Sequence, residues 1–216
     1  KGMRIVRSSA ELPENLAIAS REALANFADG TVFIERYLEN PRHVELQIIA
    51  DGNGTVLVLG ERDCSVQKRH QKLIEESPSP GVDEDMRRRM TEGAVRMFKE
   101  LKYRGAGTIE FLVSGKEFYF MEVNARIQVE HPVTELITGI DIVRCQLEIA
   151  AGEELRFEQQ SIETKGHAIE ARVYAEDPVT FIPSPGTITE VVFPPQSDHL
   201  RIDHALESNL PVPPFY

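Results

Sequence analysis

Polar and apolar positions alternate most sharply in Glu122-Val123-Asn124-Ala125-Arg126-Ile127-Gln128-Val129-Glu130, where every second residue is acidic, amide or cationic. A period of two belongs to extended chain, so all five polar heads share one face. The same alternation joins His43, Glu45 and Gln47 to Val44, Leu46 and Ile48. Asp51-Gly52-Asn53-Gly54 then turns the chain into residues 55–59, which predicts a hairpin with one polar face. Further strands are predicted at residues 1–6, 31–38, 107–113 and 117–124, with a late β region from about Gly166.

Helical spacing appears in three places. Leu16, Ala19, Ala23, Leu24 and Phe27 predict a helix capped by Ser8 or Ser9 and closed at Asp29-Gly30. Asp83 opens a second, in which Met86, Met90, Ala94, Met97 and Leu101 form a core stripe with methionine as filler. A third helical stretch covers 133–151 with an interruption at Gly139. The charged segment 152–160 leads to the late β region, and a subdomain boundary is placed near Glu163.

The 216 residues are 41% hydrophobic, enough to bury a core. Lys plus Arg total 24 against 35 Asp plus Glu, a formal charge of −11 that repels nucleic acid and anionic membrane. No run of about 18 apolar residues suggests a membrane span, and no signal-peptide core opens the chain, so a cytosolic or mitochondrial-matrix location is expected. Cys64 and Cys145 match no metal spacing and read as reduced thiols, Cys145 packing in a helix. The opening at Lys1-Gly2-Met3 and the ending at Pro211–Tyr216 read as a fragment of a longer enzyme.

The turn at Gly115 decides what faces what. A three-residue loop, Gly115-Lys116-Glu117, sets Glu110 opposite Glu122, whereas a two-residue turn puts them on opposite faces. In the first register Ile109, Phe111, Val113, Tyr119, Met121 and Val123 form the core face, and Thr108, Glu110, Leu112, Phe120, Glu122 and Asn124 the other. Two carboxylates about 5 Å apart destabilise a sheet unless a cation compensates them. Glu110, Glu122 and Asn124 offer only oxygen, which suits Mg²⁺ or Mn²⁺; the alternative is neutralisation by Arg126 or Lys72. In so acidic a chain, Gln67-Lys68-Arg69-His70-Gln71-Lys72 is a basic loop that could meet a polyphosphate. A metal pair beside a cationic loop suggests a nucleoside triphosphate, and no P-loop motif is present.

These features sit inside longer motifs. Asn40–Glu45, Glu61–Ser65, Arg69–Lys72, Tyr103–Thr108 and Asn124–Glu135 resemble biotin carboxylase, an ATP-grasp enzyme, and Gly166–Arg172 with Ala175–Pro178 resemble the opening of that family's C-terminal domain. The resemblance implies an α+β, ATP-grasp fold of mostly antiparallel sheet with flanking helices: 1–38 the remainder of a lid, 39–163 the catalytic core, 164–216 a partial C-terminal domain. It implies ATP, two Mg²⁺ or Mn²⁺ ions, bicarbonate, and biotin on a carrier protein, in the first half-reaction of an acyl-CoA carboxylase of fatty-acid metabolism. Carboxyltransferase partners and a homodimer follow in the full-length enzyme. Residue by residue, Glu110, Glu122 and Asn124 hold the metals; Lys72, Arg126 and the backbone at Gln128 and Val129 seat bicarbonate. Glu130 is the base, kept ionised by its place near Arg126, and Arg172 stabilises the enolate-like oxygen of biotin. Glu35 and Leu38 meet the adenine, His43, Gln67 and His70 the ribose and phosphates, and Leu112 is a further cofactor-binding residue. His131 and His167 read as structural, and Glu45 and Gln47 as either solvated or site-lining. The family's N-terminal domain and glycine-rich lid loop precede Lys1, so weak ATP binding and little turnover are expected of this chain alone. Rival readings are another ATP-grasp ligase that forms an acyl phosphate, and a non-catalytic scaffold.

Overall fold

The structure, a computed structural model, describes residues 3–213. Helix α1 (Leu12–Phe27) carries proline in its first turn, where a missing N–H costs nothing. Neither serine caps it: Glu11 precedes it without a side-chain cap, and the Ser8 hydroxyl donates to the Glu11 carboxylate at 2.8 Å. The helix closes at Ala28, in left-handed conformation, before Asp29-Gly30 is reached. Two predicted strands do not form. Lys1 and Gly2 lie outside the described residues, and residues 3–7 and 31–38 are irregular. A strand requires a neighbour for its N–H and C=O groups, and none of the described strands pairs with these segments. Phe33, Ile34 and Tyr37 consequently lie exposed despite their strand-like composition.

The alternation from residue 42 becomes β1 (Arg42–Asp51), which turns into β2 (Val56–Lys68). β2 is longer than expected because β3 (Gln71–Ser77) pairs with its far half. Arg69 and His70, both at positive φ, make a two-residue turn, so the predicted basic loop is two strand ends. The sheet order is β5-β4-β1-β2-β3-β6, where β4 is Arg104–Ser114, β5 is Glu117–Asn124 and β6 is Ala168–Ala171.

One face of the sheet is mainly apolar, with buried Glu61 and Asp63 of β2 paired to Arg87 and Arg42. Val44, Leu46, Ile48, Val58, Ile109 and Phe111 pack against Met86, Met90, Ala94 and Phe98 of α2 (Glu84–Glu100). Asp83 caps that helix, its carboxylate accepting from Met86 N at 2.8 Å. Leu101 falls at the C-cap and is exposed; Phe98 takes the place the predicted stripe gave it. The opposite face is divided. Its apolar half, Ile49, Leu57, Leu59 and Ala106, is covered by Ile142, Cys145 and Ile149 of α4 (Ile142–Ala150), which follows α3 (His131–Thr138) across a left-handed Gly139. Its polar half carries His43, Glu45, Gln47, Thr108 and Glu110.

Two bulges decide which side chains reach that polar half. The Gly115-Lys116 turn has two residues, Ser114 pairing with Glu117, and this register alone would send Glu122 to the wrong face. An extra residue, Met121, between the Phe111–Phe120 and Glu110–Glu122 pairs restores the opposition of the two glutamates. The core face therefore takes Phe118, edge-to-face with Phe111 at 5.5 Å, in place of Tyr119, and Met121 is exposed. In β2 the pairing shifts between Leu46–Glu61 and Ile48–Val58, and Gly60 sits there at φ 99°, which glycine alone adopts readily. The shift brings Arg62, and not Glu61, to the polar face.

The chain divides into two compact units at Ile169/Glu170. In the second, β7 (Gly186–Thr187) and β8 (Pro211–Val212) pair antiparallel.

The packing of α2 predicts that Phe98→Ala costs about 3–5 kcal/mol in urea unfolding, whereas Leu101→Ala stays within about 0.5 kcal/mol. Equal losses would show that the sequence stripe, and not the observed one, is buried.

Candidate active site

The register places Glu122 beside Glu110, Glu110 beside Glu45, and Glu45 beside Arg62, one from each of four adjacent strands. Glu45 is fully buried and Glu110 is 3% exposed, so their repulsion is not screened by water. The compensating cation is Lys72. The Arg69-His70 turn sets it opposite Gln67, and its Nζ lies 2.6 Å from Glu45 Oε2, 2.9 Å from Glu110 Oε1 and 2.6 Å from Glu130 Oε1. Three ammonium hydrogens thus meet three carboxylates.

Burial alone would lower the Lys72 pKa, but Glu45 and Glu130 outweigh it and hold the ammonium above the ordinary lysine value. Burial would likewise raise Glu110, yet the His43 hydrogen bond and Lys72 keep it well below the usual carboxylate range. Glu130, at the entry to α3, is depressed against its burial by Lys72 and then Arg62. The Cys64 thiol, buried and next to Glu45, is pushed far up and is inert as a nucleophile.

At the sheet edge the Asn124 amide spans both metal candidates, 2.9 Å from Glu110 Oε1 and 3.2 Å from Glu122 Oε1. Gln128 Nε2 donates to the same Glu110 oxygen at 2.8 Å. The oxygen-only set Glu110, Glu122 and Asn124 fits a hard dication such as Mg²⁺. Two other groups, His43-Glu45-Glu110 and Glu45-Cys64-Glu130, also converge within 4.8 Å, but Lys72 already meets their charge. Of the two cations that the sequence offered as neutralisers of the Glu110–Glu122 pair, Lys72 contacts Glu110.

His43 Nδ1 takes a hydrogen bond from the Gln67 amide at 2.8 Å. That amide also donates to Cys64 O, which leaves His43 Nε2 to donate to Glu110. Leu112 lies between His43 and Tyr119 in register. His131 Nδ1 bonds the Gln128 carbonyl at 2.8 Å, a structural role as expected. One expectation is corrected. Arg126 is exposed and bonds Asn124 Oδ1 and Ile127 O, not Glu130, whose ionisation is held by Lys72 and Arg62. Glu35 and Leu38 lie on the irregular segment 31–38, His70 at an exposed turn tip, Val129 in the exposed part of the loop, and Arg172 in the second unit.

Sequence reading left Glu45 and Gln47 open and gave Arg62 no role, yet all three are fully buried on the polar face. Arg62 donates to Glu45 Oε1 at 2.6 Å, Gln47 Oε1 at 2.7 Å, Thr134 Oγ1 at 3.0 Å and Gln128 Oε1 at 3.2 Å. The available signal was Gly60, since a glycine inside an apolar strand marks a bulge and so a change of face.

Comparison with known proteins agrees with this architecture. The carbamoyl-phosphate synthase L chain, ATP binding domain, matches residues 1–158, and the biotin carboxylase C-terminal domain matches residues 170–216. Biotin carboxylase of Haemophilus influenzae is 51% identical over 216 residues, 100% of this chain and 48% of that protein. The mitochondrial methylcrotonoyl-CoA carboxylase subunit alpha of Rattus norvegicus is 53% identical over 205 residues, covering 94% of this chain and 29% of its own. The biotin carboxylase domain dimer of Hydrogenobacter thermophilus 2-oxoglutarate carboxylase, in complex with MgADP, ADP and bicarbonate, superposes with a TM-score of 0.90 at 45% identity, over 100% of this chain and 48% of that one. The chain spans about half the length of the curated biotin carboxylases it matches. The antiparallel sheet with flanking helices is the ATP-grasp architecture of these relatives, and the chain belongs to the family of the carbamoyl-phosphate synthase L chain ATP-binding domain, in the form that biotin carboxylases carry.

Proposed function

We propose that this chain supplies the carboxylate and bicarbonate part of an ATP-dependent biotin carboxylase. The observation that carries the reading is the Lys72 ammonium held between Glu130 and Glu110, which joins a buried ionised base to the metal-binding edge. Glu110 and Glu122, with Asn124, hold Mg²⁺ or Mn²⁺, two ions in the loaded site. When bound, the metal would offset the negative charge of the triphosphate, whose γ-phosphoryl group passes to a bicarbonate oxygen with ADP as the leaving group, giving carboxyphosphate.

Bicarbonate is seated by Lys72, Arg126 and the backbone N–H groups of Gln128 and Val129. The exposed, carboxylate-free guanidinium of Arg126 supports this reading. Glu130 takes the bicarbonate proton, a role that needs the ionised form Lys72 and Arg62 maintain. The carboxyl group then passes to the ureido nitrogen of carrier-bound biotin, Arg172 stabilising the oxygen charge left by N–H deprotonation. Glu35 and Leu38 approach the adenine, His43, Gln67 and His70 the ribose and phosphates, and Leu112 completes the cofactor-binding set. The carrier protein, carboxyltransferase and a second copy of the enzyme are the partners, in cytosol or mitochondrial matrix, within an acyl-CoA carboxylase. Among the described residues no helix is long and apolar enough to cross a membrane.

Calorimetric Mn²⁺ binding should weaken at least tenfold in Glu122→Gln, and bicarbonate-dependent ADP release from the chain completed to its relatives' length should fall about 10²-fold or more in Glu130→Gln. ADP release that does not depend on bicarbonate would support an acyl-phosphate ligase instead.

The paired charges also set a pH profile. Glu110 and Glu130 have folded pKa values below the ordinary carboxylate value, so their stabilisation is present above it and is lost as the pH falls through the folded values. Lys72 has the opposite sign: its contribution is complete below the ordinary lysine value and is lost as the pH rises past it. Thermal unfolding should therefore be level from about pH 5 to 9 and fall in acid. Lys72→Met leaves buried carboxylates unpaired, so the acid limb should reverse and melting should rise as the pH is lowered toward about 5. An unchanged acid limb in that variant would show that Lys72 does not hold the carboxylates ionised.

A further inference from the structure

Arg62 is the largest fully buried side chain among the described residues, and its charge helps to keep Glu130 ionised, a task that does not account for where most of its hydrogen bonds go. If it served only to neutralise Glu45, one hydrogen bond would suffice, because Lys72 already binds the other oxygen of that carboxylate at 2.6 Å. Its remaining bonds go to uncharged acceptors: Gln47 on β1, Thr134 on α3 and Gln128 on the loop that precedes α3. Neutral amides and hydroxyls need no countercharge, so what these bonds supply is direction.

The direction matters most at Gln128. An amide has one oxygen and one NH₂ group, and a guanidinium accepts nothing. With Oε1 held by Arg62 at 3.2 Å, the NH₂ group must point away, and it meets Glu110 Oε1 at 2.8 Å. Were the amide reversed, two donors would face each other at Arg62 and two acceptors at Glu110. Glu45 is fixed in the same manner, with Oε1 on Arg62 and Oε2 on Lys72.

We propose that Arg62 is a positioning residue for the carboxylation reaction: it aims the Gln128 amide at Glu110 and turns Glu45 toward Lys72, and so ties the bicarbonate loop to the metal-binding strands. Arg62 acts through Gln128 and Glu45, to which it is bonded. Its consequence for bicarbonate rests on the function proposed above.

The test uses the 216-residue chain, first without substrates and then with bicarbonate alone. The side-chain NH₂ resonances of Gln128, assigned by their loss in Gln128→Ala, should be two separated signals in slow exchange with water. In Arg62→Lys the charge beside Glu45 remains but the planar fork is lost, and exchange of these protons should accelerate at least tenfold with collapse toward the positions of a free amide. ¹³C-bicarbonate added to each chain should bind about tenfold more weakly to the variant, as the loss of one well-placed hydrogen bond implies. Should Arg62→Lys not fold cooperatively, Thr134→Val removes one anchor of the guanidinium without altering charge and should accelerate exchange in smaller measure. Unchanged Gln128 exchange in folded Arg62→Lys, or in Thr134→Val if that is the variant that folds, would overturn the proposal. Accelerated Gln128 exchange in the variant with no response to bicarbonate in any chain would support the positioning role and sink the bicarbonate reading.

Discussion

The buried carboxylates Glu45, Glu110 and Glu130 cannot remain together without a cation, and the fold is arranged to deliver Lys72 to them. Glu45 and Glu110 are forced into contact by the pairing of β1 with β4, and Glu130 arrives from the entry to α3. A single ammonium with three hydrogens satisfies all three. Removing it leaves charges for which burial offers no solvent, which is the costly way to break such a cluster. The two-residue turn at Arg69-His70, the length of β2 and the register of β3 all serve the position of one nitrogen atom.

The divided face of the sheet shows how stability and chemistry are kept apart. α2 seals one face with Met86, Met90, Ala94 and Phe98, and α4 seals half of the other, so the polar half is carried on strands fixed by apolar packing along the rest of their length. β1 passes through both regimes: Ile49 lies under α4, and His43, Glu45 and Gln47 lie in the site. Strands place Glu45, Arg62, Lys72, Glu110 and Glu122, and the loop before α3 carries Arg126, Gln128, Val129 and Glu130.

Much of this was legible in the sequence because it depends on local periodicity. The β1–β2 hairpin, the helix capped by Asp83 and the break at Gly139 each follow from spacing of two or of three and four, whereas the opposition of Glu110 to Glu122, expected from a three-residue turn, arises from a two-residue turn and a bulge at Met121. What was not legible depends on partners and on irregularity. Residues 31–38 have strand composition but no described neighbour to pair with, and periodicity says nothing about availability of a partner. Arg62 was missed because a bulge at Gly60 changes which of Glu61 and Arg62 faces the site, and alternation counted through a bulge names the wrong one. Lys72 was placed in a basic loop beside a polyphosphate, and its place among three buried carboxylates was not legible because the two-residue turn that sets it there is made by Arg69 and His70, without a glycine to mark it.

The β4–β5 hairpin carries a lesson about descent. Glu110 meets Glu122 through a two-residue turn and an inserted Met121; a three-residue turn without the insertion would reach the same pairing. The two arrangements differ by moving one residue along the strand, and each half of the change alone would turn Glu122 away from its partner. Lineages that share this site can therefore exchange the two forms only by paired insertion and deletion, and a solitary length change in this hairpin should be purged even though it falls in an exposed turn, where length variation is ordinarily tolerated.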